Sequence, residues 1–339
     1  MKRTWILGLL LIFVFVSQAQ AKDVDTVEWL SSDYVGVGAV DMERFSKRKL
    51  YDDLMAFFLT DADTKQALTG LEAAGFDSKT DVKRIVVGVP ADVERGAHIV
   101  FFEAKKHLEA YRPLLAHDKI DVRTHSEVEY FCTKRANECM TVFGNVLAVG
   151  SEGRLKSVID VVKAGGKGDL KKNTALAAQI KSASKNKDSW FAYALNTKIR
   201  ERLGKNDPIA DLTEDGLGKV NAGDLKAGNL SIDFQKGLDV SAKSNLVSKQ
   251  AAASVATYLT KLLTDAGNSE DVKSLGIDFL IKAVSASAKD SNVLVTIKLS
   301  AAEFDQVIDL TTGLVQSVPA VAPKKSAKPA SKASGASSK

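Results

Sequence analysis

Asn145-Val146-Leu147-Ala148-Val149-Gly150-Ser151, followed by Val158-Ile159-Asp160, is answered late in the chain by Asn292-Val293-Leu294 and then Val307-Ile308-Asp309. In each place an apolar segment of strand character gives way to helical spacing, and the two landmarks keep nearly the same separation. One such match carries little weight. An ordered series of them reads as a repeated supersecondary unit.

Working outward, the series continues. Tyr34 to Asp41 and Trp190 to Leu195 are aromatic, mostly apolar strands that run into charged amphipathic segments. Asp81-Val82-Lys83 and Asp224-Leu225-Lys226 lead toward the alternating segments Ile85 to Val89 and Leu230 to Phe234, and then to Ile99 to Phe102 and Leu238 to Ala242. Tyr51, Leu54, Met55, Phe58 and Leu59 recur at helical spacing, as do Val255, Tyr258, Leu259, Leu262 and Leu263. Val293 to Leu299 alternates as a half-buried strand does. The spacing predicts an α+β fold: a tandem duplication of an antiparallel or mixed sheet with helices packed on one face. The glycine-rich Lys163-Ala164-Gly165-Gly166-Lys167-Gly168 separates the copies, which gives repeat 1 as residues 22–168 and repeat 2 as 169–317.

The two ends differ in character from the body. Lys2 and Arg3 precede an apolar run from Trp5 to Val16, and Ala19-Gln20-Ala21 has the small-x-small form of a cleavage site, so residues 1–21 read as a secretory signal peptide. Residues 318–339 contain only Val, Pro, Ala, Lys, Ser and one Gly, and they read as a disordered tail because they offer nothing to bury. The chain has 339 residues and a formal charge of +5. Lys2, Arg3, Lys324, Lys325, Lys328, Lys332 and Lys339 all lie in the two ends, so the body is close to neutral. That balance argues against a nucleic-acid partner, which would require clustered basic side chains. The tail lysines suit weak contact with anionic envelope surfaces.

Gly150-Ser151, Leu155, Val158-Ile159-Asp160, Gly165-Gly166, Asn173 with Leu176, and the strand from Trp190 resemble, in that order, a pattern in exported two-repeat bacterial envelope proteins of unknown function. The resemblance implies an envelope location and assigns no functional residue.

Cys132 and Cys139 are the only cysteines. In an exported chain such a pair reads as a disulfide clipping a hairpin, and two cysteines alone do not complete a zinc site. A ring of that size contributes about 2.5 kcal/mol through loop entropy. His98, His107, His117 and His125 are the histidines and the weak metal candidates. None are four apart on a helix, so no metal or other cofactor is expected. Glu109, Asp118 and Glu127 lie nearby as oxygen donors. Gly150-Ser151-Glu152-Gly153 is one residue short of a nucleophile elbow, and Ser151 fits a helix N-cap.

The leading functional reading is a noncatalytic, periplasmic or secreted envelope protein with a structural or interaction role, its partner an envelope component. A second is a binding protein holding a small or lipidic ligand in the groove between repeats, since clefts between similar units favour ligands. A third is an enzyme built on the histidine region. It requires two histidines, or a histidine and a carboxylate, within hydrogen-bond reach.

Overall fold

The computed structural model describes residues 24–48, 50–52, 76–92, 98–109, 112, 120–133, 138–183, 187–205, 221–274 and 276–317. Residues 1–21, the helical stripe beyond Tyr51, His117 and the tail fall outside them.

Among the described residues twelve strands form one antiparallel sheet. In chain order they are β1 (Tyr34–Asp41), β2 (Val82–Pro90), β3 (Ile99–Ala104), β4 (Ile120–His125), β5 (Val128–Thr133), β6 (Glu138–Phe143), β7 (Val146–Ser151), β8 (Ser189–Ala194), β9 (Leu225–Asp233), β10 (Gly237–Leu246), β11 (Val284–Lys289) and β12 (Asn292–Ser300). Across the sheet the order is β11-β12-β10-β9-β8-β1-β2-β3-β7-β6-β5-β4. The chain is thus α+β, with its halves meeting where β1 pairs antiparallel with β8, Gly38 opposite Phe191. The register brings the Phe191 ring against Gly36 and Gly38, where a Cβ on either glycine would lie 2.9 Å from the ring. This close approach accounts for Gly36-Val37-Gly38.

The repeated landmarks fall at comparable places. Asn145 is the second residue of the two-residue β6–β7 loop and Asn292 the first strand residue after the two-residue β11–β12 loop; the first residue of each loop, Gly144 or Asp290, has positive φ. Each asparagine also reaches the end of the adjoining strand: Asn145 Nδ2 donates to the Ala104 carbonyl, and Asn292 Oδ1 accepts from Asn245 Nδ2. The helices that follow are α3 (Glu152–Lys163) in the first half and α9 (Ala301–Ser317) in the second, numbered in chain order after α1 (Met42–Phe45) and α2 (Ser78–Asp81). Between them come α4 (Thr174–Ala183), α5 (Thr197–Lys205), α6 (Lys249–Asn268), α7 (Glu270–Ser274) and α8 (Asp278–Ala283). Val158 and Ile159 of α3 are buried, whereas Val307 and Ile308 of α9 are half-buried.

Helices occupy both faces of the sheet, where one covered face was expected. The cause is in the strands: β1 and β7 are buried along nearly their whole length, so both sets of alternating side chains need apolar cover. On one face Val37, Val86, Phe101 and Ala148 pack with Leu155 and Ile159 of α3 and Leu176 of α4. On the other, Leu147, Val149, Val142 and Phe131 pack with Met42 of α1, Tyr51 and Leu108. Farther out, Leu246 and Val293 receive Ala252, Val255 and Leu259 of α6. The stripe on α6 is only partly core, since Leu262 is 45% exposed.

The described chain begins with a strap across the sheet. The 3-10 turn Thr26–Trp29 sets Trp29 edge-on to Phe101 and Phe143. Its polar anchor is the buried Glu103, whose Oε1 accepts from the Thr26 backbone N–H and hydroxyl at 3.1 and 2.7 Å. Arg84 donates to both Glu103 oxygens, at 2.9 and 2.7 Å, so the buried carboxylate is matched and hydrogen-bonded. Between the halves, Gly165 and Gly166 take positive φ after α3. Gly168 passes so close to Leu30 that a Cβ there would lie 2.2 Å from the Leu30 carbonyl oxygen.

Candidate functional site

The structure places the described residues singled out by the sequence in four separate locations, and a fifth cluster emerges where the halves meet.

Cys132 and Cys139 face each other across the β5–β6 pair and form a disulfide, with both residues buried. Among the described residues the only acidic, cysteine or histidine trio close enough to hold a metal is Cys132, Cys139 and Glu152. Its sulfurs are bonded to each other, and Glu152 is already engaged by Tyr130, Arg123 and Lys156. Those contacts, the Lys156 hydrogen bond first, pull the Glu152 carboxyl down to about 2. A carboxylate held by two cations is a poor ligand for a third. Ser151 occupies the N-cap position of α3 with no side-chain capping hydrogen bond.

His98 lies at the entry to β3 and His107 beside the turn at Gly144. His125 ends β4, and its Nε2 lies 2.8 Å from Asp160 Oδ1 on α3. This meets the requirement set for a histidine enzyme, and Ser126 is there as well. The connectivity is wrong for nucleophile activation, however. The Ser126 hydroxyl donates to the same Asp160 oxygen at 2.8 Å, so the carboxylate sits between serine and histidine. A triad needs the imidazole in the middle, taking the hydroxyl proton. Here the three groups fasten a hairpin tip: Ser126 and Glu127 form the two-residue β4–β5 loop with φ of 49° and 62°, a conformation costly for residues other than glycine. Lys163 to Glu127 ties the same tip to α3. Hydrogen bonds from His125 and Ser126 hold the Asp160 carboxyl below its usual range.

The fifth cluster was not anticipated. Arg44 on α1 and Arg48 just beyond it both turn toward Asp188, which immediately precedes β8 and is fully buried. Asp188 Oδ1 lies 3.0 Å from Arg44 Nε and 3.5 Å from Arg48 Nη2, and its Oδ2 accepts the Phe234 backbone N–H at 2.7 Å. Asp233 stands 3.7 Å from Arg44 Nη2, with Lys187 on its far side at 3.9 Å. Among the described residues, Arg44 Nη2, Arg48 Nε and Asp188 Oδ1 are buried without a hydrogen-bond partner. Next to them three aromatic rings run from one half to the other, Phe45 to Phe234 at 5.7 Å and Phe234 to Phe304 at 5.7 Å, the second pair stacked. A cavity of about 240 Å³ opens there, lined by Lys47, Arg48, Leu50, Phe234, Phe304 and Ile308 among others. The one sequence signal for this cluster is that Arg44 and Arg48 stand four apart in a segment whose sequence reads as helical; the helix itself ends at Phe45.

No helix among the described residues is long and apolar enough to cross a membrane. No protein-family model matches the chain, and no curated protein sequence matches it. Among solved structures the chain is similar to crystal forms of the Treponema protein TP0453. Form III shares 11% identity over 85% of this chain and 99% of that one, with a TM-score of 0.46. Form I shares 9% over 87% and 99%, at 0.44, and form IV 9% over 86% and 97%, at 0.46. No residue role is carried across from them.

Proposed function

We propose that this chain is an exported, noncatalytic envelope protein that works by interaction, and that its body is a tandem duplication joined edge to edge at the β1–β8 pair. The observation that carries the export reading is the buried cystine at Cys132–Cys139, in a chain whose residues 1–21 have the three parts of a secretory signal. Such a bond persists in oxidising compartments and is reduced in the cytosol. The duplication is supported by strand order. Outward from the seam the first half runs β1-β2-β3-β7-β6 and the second β8-β9-β10-β12-β11, with comparable hairpin loops at Asn145 and Asn292. On this reading the β4–β5 hairpin is an addition to the first copy. The noncatalytic reading is supported by the order of contacts at Asp160, which fastens a turn and leaves Ser126 without a base.

Fractionation followed by intact-mass measurement tests the export reading. The expected species lies in the envelope or outside the cell, begins at Lys22, and is lighter than its reduced form by two hydrogens. A full-length chain with free thiols in the cytosol would overturn it.

A further inference from the structure

From the cluster at the meeting of the halves we infer a binding site for a small amphipathic anion, an organic carboxylate with a short apolar body. The charges point to an anion. Two guanidiniums share one buried carboxylate, and the acid Asp233 is divided between Arg44 and Lys187; on the cavity lining itself Lys47 and Arg48 stand against one carboxylate, Asp305, which leaves the positive charge in excess. The hydrogen bonding points the same way: Arg48 lines the cavity while its Nε, like Arg44 Nη2, has no acceptor among the described residues. A guanidinium presents its donors as a planar fork matched to a carboxylate, so an anion beside Arg48 draws the side chain into a geometry that the shared Asp188 does not complete.

The walls select what the anion is attached to. Phe234, Phe304, Leu50 and Ile308 supply an aromatic and aliphatic surface directly beside the cations. At about 240 Å³ the cavity holds roughly eight water volumes, below the range of drug-sized sites, so it fits a fragment of about ten heavy atoms. A two-chain lipid is too large for it. At ordinary ligand efficiency such a fragment binds with a Kd of about 5 mM. The inference stands independently of export, because it uses only side chains of the folded body and none of residues 1–21.

The test uses the whole protein with its disulfide formed and titrates three probes by ligand-observed NMR: octanoate, 1-octanol and acetate. Octanoate is expected to bind about tenfold more tightly than octanol, which lacks the charge, and than acetate, which lacks the body. Arg48→Gln should weaken octanoate about tenfold. Because that change also disturbs Asp188, Lys47→Gln serves as a second variant on an exposed side chain; it should weaken octanoate about threefold with the fold intact. Phe304→Ala should weaken octanoate and leave acetate unaltered. Equal binding of octanol and octanoate would overturn the inference, as would octanoate binding that is unchanged in folded Lys47→Gln and Phe304→Ala protein.

Discussion

Replacing Asp188 with asparagine keeps the shape of the side chain and removes its charge, and the surroundings set the size of the effect. Asp188 is fully buried, and the side chains of Arg44 and Arg48 are 23% and 24% exposed. In Asp188→Asn the amide oxygen still accepts the Phe234 N–H, but two half-buried positive charges then face each other with Asp233 3.7 Å from only one of them. Breaking a buried ion pair from one side costs about 3 to 5 kcal/mol, and the partial exposure of the arginines places this case near 3. At a urea slope of about 3 kcal/mol/M the unfolding midpoint falls by roughly 1 M. Urea titrations followed by circular dichroism read the shift directly. The control is the triple variant Asp188→Leu, Arg44→Met, Arg48→Leu, which removes all three charges and should recover most of the loss, because well-packed apolar groups replace buried ions at little or no cost. A midpoint within about 0.3 M of the parent in Asp188→Asn, or a triple variant less stable than Asp188→Asn, would refute the reasoning.

Three further outcomes are expected. The double variant Cys132→Ala, Cys139→Ala should lose about 2.5 kcal/mol by urea unfolding, and a reducing agent should shift the parent and leave the variant alone. Gly168→Ala should cost more than about 1 kcal/mol, since its Cβ meets the Leu30 carbonyl oxygen at 2.2 Å; Gly153→Ala, in α3 with nothing within 4 Å, should be neutral or stabilising by about 0.5 kcal/mol in the same assay. The Glu152 carboxyl is held down to about 2 from an ordinary 4.5, so the stability it supplies is fully present above pH 4.5 and is lost as the pH falls toward 2. Discounted for solvent screening, that loss is about 1 kcal/mol, and Glu152→Gln should flatten the acid limb of a thermal stability profile by the same amount.

The parts of the fold that were legible are those written in local period. β1 spans Tyr34–Asp41 as expected, the alternation from Val293 to Leu299 lies within β12, and Val255, Tyr258 and Leu259 lie on α6. The cystine was legible because two isolated cysteines, in a chain whose first 21 residues read as a secretory signal, have few alternatives. The double-faced packing was present in the sequence as the unbroken run Val146 to Val149, a signature of strands buried on both sides, and alternation elsewhere concealed it. The cluster at Asp188 was not legible. Arg44 and Asp188 are brought together by the β1–β8 pairing, and nothing local to either residue announces a partner so far along the chain. His125 shows the opposite failure: its contact with Asp160 is real, but only the position of Ser126 reveals that it fastens a turn.

Native mass spectrometry of the protein, gently extracted from its own envelope fraction, bears most directly on the interaction role. The account predicts a mature, oxidised chain retaining a stoichiometric macromolecular companion that is lost on harsher extraction. A bare chain under every gentle condition, with no companion captured by crosslinking in the intact envelope, would contradict it.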